Sequence, residues 1–254
     1  GDRAADRALQ LDPELAFAHA IKGGNMTVRP PFDLAGGMAQ YDLALQKDPK
    51  DLTTLYWRGL TLSMGGYFAE ARDIYGACLD IDPLYMNCLL QLQDMQRLLG
   101  EPHDYGPDIM ERFVTSPDHI YASYLLSEGN KAAAMFAAAN APGFKGSPFM
   151  SFIEALENPD ADHSDAWREF QLWADGAAID LAGHPTILAA FGAYDQISLR
   201  TTANTWHWVR FFKKYRASDE FKQMMRKFGY VDLWKDRGFP PVCRPLGDDD
   251  FECD

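Results

Sequence analysis

Asp12-Pro13, Asp48-Pro49 and Asp82-Pro83 divide the start of the chain into units of nearly one length. Pro49 and Pro83 lie 34 residues apart, and Pro13 and Pro49 lie 36 apart (83 − 49 and 49 − 13). A period of this size, closed each time by a residue that ends helices, means one supersecondary unit repeated and stacked on itself. Upstream positions recur in step. Small residues stand five before each proline (Ala8, Ala44, Cys78), and Ala5, Tyr41 and Tyr75 stand eight before. Phe68, Ala71, Ile74, Tyr75, Cys78 and Leu79 follow the spacing of a single helix face. Gly59 and Ala71 are expected to face each other inside a hairpin, small enough for its helices to close to roughly 8–10 Å. Each Asp-Pro pair is expected to open the next helix, with Asp as N-cap and Pro at the first helical position.

These offsets resemble the tetratricopeptide repeat over residues 1–100, most closely at 52–84 through Gly59, Ala71, Tyr75, Cys78 and Pro83. The pattern departs from that family where Leu55 holds the early Trp position, with Trp57 displaced by two. It departs again where two extra residues in 25–33, around Arg29-Pro30-Pro31, lengthen a turn. The resemblance implies an all-α fold: a right-handed superhelix of antiparallel helix pairs, with a C-terminal capping helix and an irregular tail. Residues 1–100 are then repeats, 101–217 a divergent helical-hairpin continuation, and 218–254 the cap helix and tail. Residues 2–11 read as the second helix of a hairpin whose first is missing, the pattern of a piece of a larger protein.

Helices are expected at 120–126, 131–140, 148–157, 164–178, 186–197 and 206–215, separated by breakers such as Gly129-Asn130, Pro142-Gly143 and Thr201-Thr202. Ser164 is expected to cap its helix, and Trp206, Trp208, Phe211 and Phe212 to pack around theirs. Ser218 and Gly229 bracket a further helix with Phe221, Met224, Met225 and Phe228 on one face. From there the tail resembles the C-terminal signature of bacterial multidomain sensory proteins. The resemblance rests on Phe221, Gly229, Trp234, Gly238, Cys243, Arg244, Pro245, Gly247, Phe251 and Cys253. Their effector is an N-terminal winged-helix domain or a class III nucleotide cyclase, so the resemblance implies an effector upstream of Gly1. In many of them a membrane span intervenes. The expected compartment is then the periplasm for a membrane-anchored regulator and the cytoplasm otherwise. A stand-alone scaffold is the alternative reading. Trp234, Phe239 and the Phe221 helix are expected to lie across the open face of the last repeat.

A formal net charge of −13 argues against nucleic acid as a direct partner. Arg210, Lys213, Lys214, Arg216, Arg226 and Lys227 form a basic stripe that reads as a solvated face. No stretch approaches the about 20 apolar residues of a membrane span. Cys78 and Cys88 occupy helix positions that read as core, as small hydrophobes. Cys243 and Cys253, ten residues apart on a segment without helical pattern, can close a loop as a disulfide or stay as thiols. A bridge would point to an oxidising compartment.

No motif for a nucleophile, a metal or a phosphate is present, and neither cofactor nor metal is expected. The six histidines do not pair at metal-ligand spacing. The run Asp160, Asp162, His163, Asp165 reads as an acidic loop before a helix, and Asp248-Asp249-Asp250 with Glu252 lacks calcium-loop spacing. A remote enzyme reading would need His163 or His184 beside a second titratable group in a pocket. The expected site is instead a concave groove for a protein or peptide. Carrying the repeat register over, it shows Thr53, Tyr56, Trp57, Leu60 and Ser63, then Asn87, Leu90, Gln91, Asp94 and Arg97. That lining suits a peptide with apolar anchors, unless Tyr56, Trp57 and Leu60 are simply core.

Overall fold

The computed structural model describes residues 2–104, 119–197 and 205–254. Among them are fourteen α-helices, four short 3-10 turns and one two-stranded hairpin, so the protein is predominantly helical. It divides into two compact units, 1–104 with 223–252, and 105–222 with 253–254.

The first unit begins with α1 (Asp2–Leu11), α2 (Ala16–Val28), α3 (Leu34–Lys47), α4 (Leu52–Met64), α5 (Phe68–Ile81) and α6 (Met86–Leu99). The connections are short, which makes neighbours antiparallel. Each helix packs on the next, and α4 also touches both α2 and α6.

The Asp-Pro pairs work at helix ends. The backbone N–H of Asp12, Asp48 and Asp82 donates to the carbonyls of Ala8, Ala44 and Cys78 at 2.8, 2.8 and 3.1 Å. Their carboxylates accept from the N–H of Glu14, Lys50 and Leu84 at 2.9, 3.1 and 2.9 Å. One residue closes a helix and builds the turn after it, and Pro sits where no N–H is needed. The next helices start three residues beyond each proline, at Ala16, Leu52 and Met86. The expected N-cap role of these aspartates is therefore corrected: Asp48 and Asp82 are C-caps, and the N-caps are Leu15, Asp51 and Tyr85. The helices start three residues beyond each proline, so the position just before them falls on Leu15, Asp51 and Tyr85 and not on the aspartate of the pair.

Within the hairpins, glycine meets tyrosine. A Cβ on Gly23 would fall 2.8 Å from the Tyr41 ring, and one on Gly59 only 2.5 Å from the Tyr75 ring. Gly23 is 26 residues before Pro49 and Gly59 is 24 before Pro83 (49 − 23 and 83 − 59), the difference being the two extra residues of the α2–α3 turn. The nearest neighbours of Gly59 thus belong to Tyr75 and not to Ala71. Both rings are buried. The Tyr41 hydroxyl meets Thr27 Oγ1 at 3.0 Å. Ser63 holds the equivalent place beside Tyr75, but it donates to the Leu60 carbonyl at 3.0 Å. No hydrogen bond of good geometry reaches the Tyr75 hydroxyl among the described residues. Burial holds that phenol well above its ordinary pKa.

The α5–α6 turn also brings Cys78 and Cys88 together as a disulfide, with Cα atoms 6.4 Å apart. They are not the separate core thiols expected. The reversal of direction at Pro83 sets the last turn of one helix beside the first turn of the next.

The tail of this unit follows α13 (Asp219–Lys227), in which the domain division falls. Ser218 Oγ accepts the Phe221 N–H at 3.2 Å, and Gly229 ends the segment at φ +79°. Then α14 (Tyr230–Arg237) packs on α3. Phe228 meets Phe32 edge-on at 5.0 Å, and Trp234 Nε1–H donates to the Gly65 carbonyl at 2.9 Å. Gly66, at φ +86°, leaves room for Val242, which a Cβ would approach to 2.8 Å. The tail therefore lies along the α2–α3 and α4–α5 turns. The Gly65-Gly66 backbone offers it a carbonyl and a close approach. The stretch expected to be irregular ends in a hairpin, β1 (Cys243–Leu246) and β2 (Asp250–Cys253), with Phe251 buried 5.0 Å from Trp234.

The second unit contains α7 (His119–Ser127), α8 (Lys131–Ala139), α9 (Phe149–Glu157), α10 (Ser164–Gly176), α11 (Pro185–Ala190) and α12 (Lys213–Arg216). The first four lie where the breaker pattern predicts helices. The helix expected at 186–197 stops at Ala190, and a separate 3-10 turn follows at Tyr194–Gln196. The one expected at 206–215 is two 3-10 turns, Trp206–Trp208 and Arg210–Phe212, before α12. Arg216 explains the break. Its guanidinium donates to the carbonyls of His207 and Val209 at 2.6 and 3.1 Å, and to that of Asp254 at 2.6 Å. Burial pulls its pKa down to about 10, against the opposing charge of Asp254. Arg216 thus belongs to the interior, not to a solvated basic stripe. The expected Thr201-Thr202 boundary and the His119 side chain lie outside the described residues.

The Gly–Tyr contact predicts opposite outcomes for two alanines. Gly59→Ala must push the Tyr75 ring aside and should cost about 1–3 kcal/mol. Gly76→Ala, with nothing within 4 Å of its added carbon, should be neutral or gain about 0.5–1 kcal/mol. Denaturant unfolding followed by circular dichroism checks both.

Candidate functional site

The predicted groove residues sit on α4 and α6 at i, i+3, i+4, i+7 spacing, so each set forms one strip, and the two helices touch. The strips divide by burial. Thr53, Tyr56, Leu60, Leu90 and Gln91 are half-exposed and Asn87 is exposed. Burial raises the Tyr56 phenol above its ordinary pKa, helped by nearby Tyr85.

The other positions serve packing. The half-exposed Trp57 ring lies over α2, where a Cβ on Gly24 would meet it at 3.5 Å. Ser63 is fully buried. Asp94 and Arg97 form an ion pair with side chains only 9% and 5% exposed, Arg97 Nε donating to Asp94 Oδ1 at 3.2 Å. The Gln91 carbonyl oxygen is buried without a hydrogen-bond partner among the described residues. The same register also reaches α2. Phe17 on α2 is 59% exposed and stands 36 residues before Thr53 (53 − 17), one full step of the period. The repeat register alone identifies it.

A second concave feature lies in the second unit, a cavity of about 330 Å³ bordered by the end of α9, the start of α10 and the end of α11. His163 is at its rim, with Nε2 2.8 Å from the Asn158 carbonyl. The Asp162 carboxylate accepts the Ser164 N–H at 2.9 Å, and this bond, with the Ser164 hydroxyl, holds its pKa below the usual range. Ser164 is therefore the capped residue and not the cap. Lys214 Nζ donates to the Pro159 carbonyl at 2.6 Å and pairs with Asp160 at 2.8 Å. His184 is elsewhere, edge-on to Phe144 at 4.6 Å. Of the aromatic run 206–212, Trp206, Trp208 and Phe212 are buried, and only Phe211 borders this cavity.

In the C-terminal acidic run, Asp250 pairs with Arg226 at 3.0 Å and Glu252 with Arg244. Among the described residues no group of three His, Cys, Asp or Glu side chains is placed to hold a metal ion. Cys243 and Cys253 are disulfide-bonded, and none of the four cysteines is free. No helix of the described residues is long and apolar enough to cross a membrane. Compared with protein-family models, curated proteins and solved structures, the chain gives no match.

The split in the groove row is measurable. Arg97→Ala removes the cation buried with Asp94 and should lower the unfolding free energy by about 3 kcal/mol or more. Asn87→Ala, on the exposed edge of the same helix, should stay within about 0.5 kcal/mol. Urea titration of the two variants separates packing positions from accessible ones.

Proposed function

We propose that this chain is a peptide-binding module of stacked helical hairpins, the sensory or interaction part of a larger bacterial regulator. Its first unit is read as a right-handed superhelix of the tetratricopeptide type, with α2, α4 and α6 along the concave side. One observation carries the reading. The Asp-Pro turn recurs three times and the Gly–Tyr contact twice, at steps of 34 and 36 residues. Equal turns and equal hairpin packing at a fixed step are what a stacked array of repeats requires.

Such an array presents an extended face. Phe17, Tyr56, Leu60 and Leu90 supply apolar anchors along it, and Thr53 and Asn87 supply hydrogen bonds at its edge. This combination suits an extended or helical peptide. Occupying the groove biases how neighbouring hairpins pack, and that change is passed to an effector upstream, a winged-helix domain or a class III nucleotide cyclase. The chain binds and transmits and carries out no chemistry itself. Its wholly disulfide-bonded cysteines suit an oxidising compartment, where a membrane-anchored regulator exposes its sensor.

Peptides selected from a displayed random library on the intact chain test this. Tyr56→Ala combined with Asn87→Ala should weaken their binding about tenfold or more, the usual effect of losing an aromatic anchor. Phe136→Ala, an exposed aromatic of the second unit, should leave it unchanged. Undiminished binding by the double variant, with helicity intact, would reject the groove.

A further inference from the structure

The cavity of the second unit lies outside the peptide reading and has a chemistry of its own. Phe152, Phe170, Phe212 and Tyr215 in this unit are almost completely buried. Trp167, Phe191, Tyr194 and Phe211 are only partly buried, and all four border the same cavity of about 330 Å³. Single half-exposed aromatics need no explanation, but four around one concavity form a wall of partly open rings, of which Phe211 is covered by the Arg210 guanidinium at 4.9 Å. Trp167 and Phe191 stack with centroids 5.2 Å apart and planes 28° from parallel. The volume falls at the low end of the roughly 300–1,000 Å³ typical of small-molecule sites.

The rim decides the charge of the occupant. Lys214 is neutralised by Asp160 at 2.8 Å. Asp162 forms no ion pair among the described residues, although the adjacent His163 ring favours its charged form, and its carboxylate is fixed by the Ser164 N–H. His163 Nε2 donates to the Asn158 carbonyl at 2.8 Å. The chain as a whole carries −13. An anion entering here meets Asp162 and the net field, whereas a cation gains the carboxylate and the aromatic faces.

We propose that this cavity binds a small organic cation with an apolar body, an arylalkylamine or a quaternary ammonium compound. Its ammonium group lies beside Asp162, and its body lies against Trp167 and Phe191.

Phenethylammonium and phenylacetate, similar in body and opposite in charge, are the probes, titrated calorimetrically into the intact chain. Phenethylammonium should saturate one site, with phenylacetate binding at least about tenfold more weakly. Asp162→Asn keeps the capping hydrogen bond and should weaken phenethylammonium about threefold or more. The indole N–H resonance of Trp167, assigned through Trp167→Phe, should shift during the titration. The proposal is overturned if phenethylammonium fails to saturate, if phenylacetate binds as well, if Asp162→Asn leaves the affinity unchanged, or if the Trp167 resonance stays still.

Discussion

Each hairpin of the first unit depends on a tyrosine ring seated directly on a glycine. At Gly23 and Gly59 the ring occupies the space of a Cβ, so the two helices approach as closely as a backbone allows. Asp48 and Asp82 then close α3 and α5 through their N–H groups and turn the chain through their carboxylates. The next helix begins at a set distance, and its first turn comes to rest beside the helix just ended. The Cys78–Cys88 bridge is one consequence of that geometry, and the contact of α4 with α6 is another. The burial is not free of cost. The Tyr75 hydroxyl goes into the core beside Ser63, whose own bond is to the Leu60 carbonyl, so its desolvation is only weakly compensated.

The parts of this arrangement that depend on neighbours in sequence are legible without coordinates. The period, the buried residues Phe68, Ala71, Tyr75 and Cys78 of α5, and the Ser218 and Gly229 ends of α13 follow from local spacing, whereas the helix starts after each proline do not. Partners across the fold do not. Tyr75 wins the space at Gly59 because its ring reaches across the hairpin from one turn beyond Ala71. Cys78 and Cys88 share the ten-residue separation of Cys243 and Cys253. Helical spacing hides this, because it says nothing of where a chain reverses. The aromatic run 206–212 has helix-compatible composition, and only Arg216, bound to the carbonyls of His207 and Val209, reveals why it takes 3-10 turns.

The same division applies to the sites. Register alone sets out the strip on α4 and α6 that is proposed as a groove, and one more step of the period reaches Phe17. Depth is another matter: Ser63, Asp94 and Arg97 share that register yet sink into the packing, since burial depends on what covers each position. The cavity of the second unit is harder still to anticipate. It is assembled from 155–167, 189–194 and 211–214, three segments with no common spacing. Its most telling property, a wall of partly exposed aromatics, exists only in three dimensions.

If the glycine–tyrosine seats set the hairpin geometry, ring protons must lie within a few ångströms of the facing glycine Hα atoms. Nuclear Overhauser spectroscopy of the chain with labelled tyrosines measures this directly. Strong cross-peaks from the Tyr41 ring to Gly23 Hα and from the Tyr75 ring to Gly59 Hα are expected together. Their absence, or a Tyr75 ring in contact with other helices only, would contradict the repeated seat and the stacking derived from it.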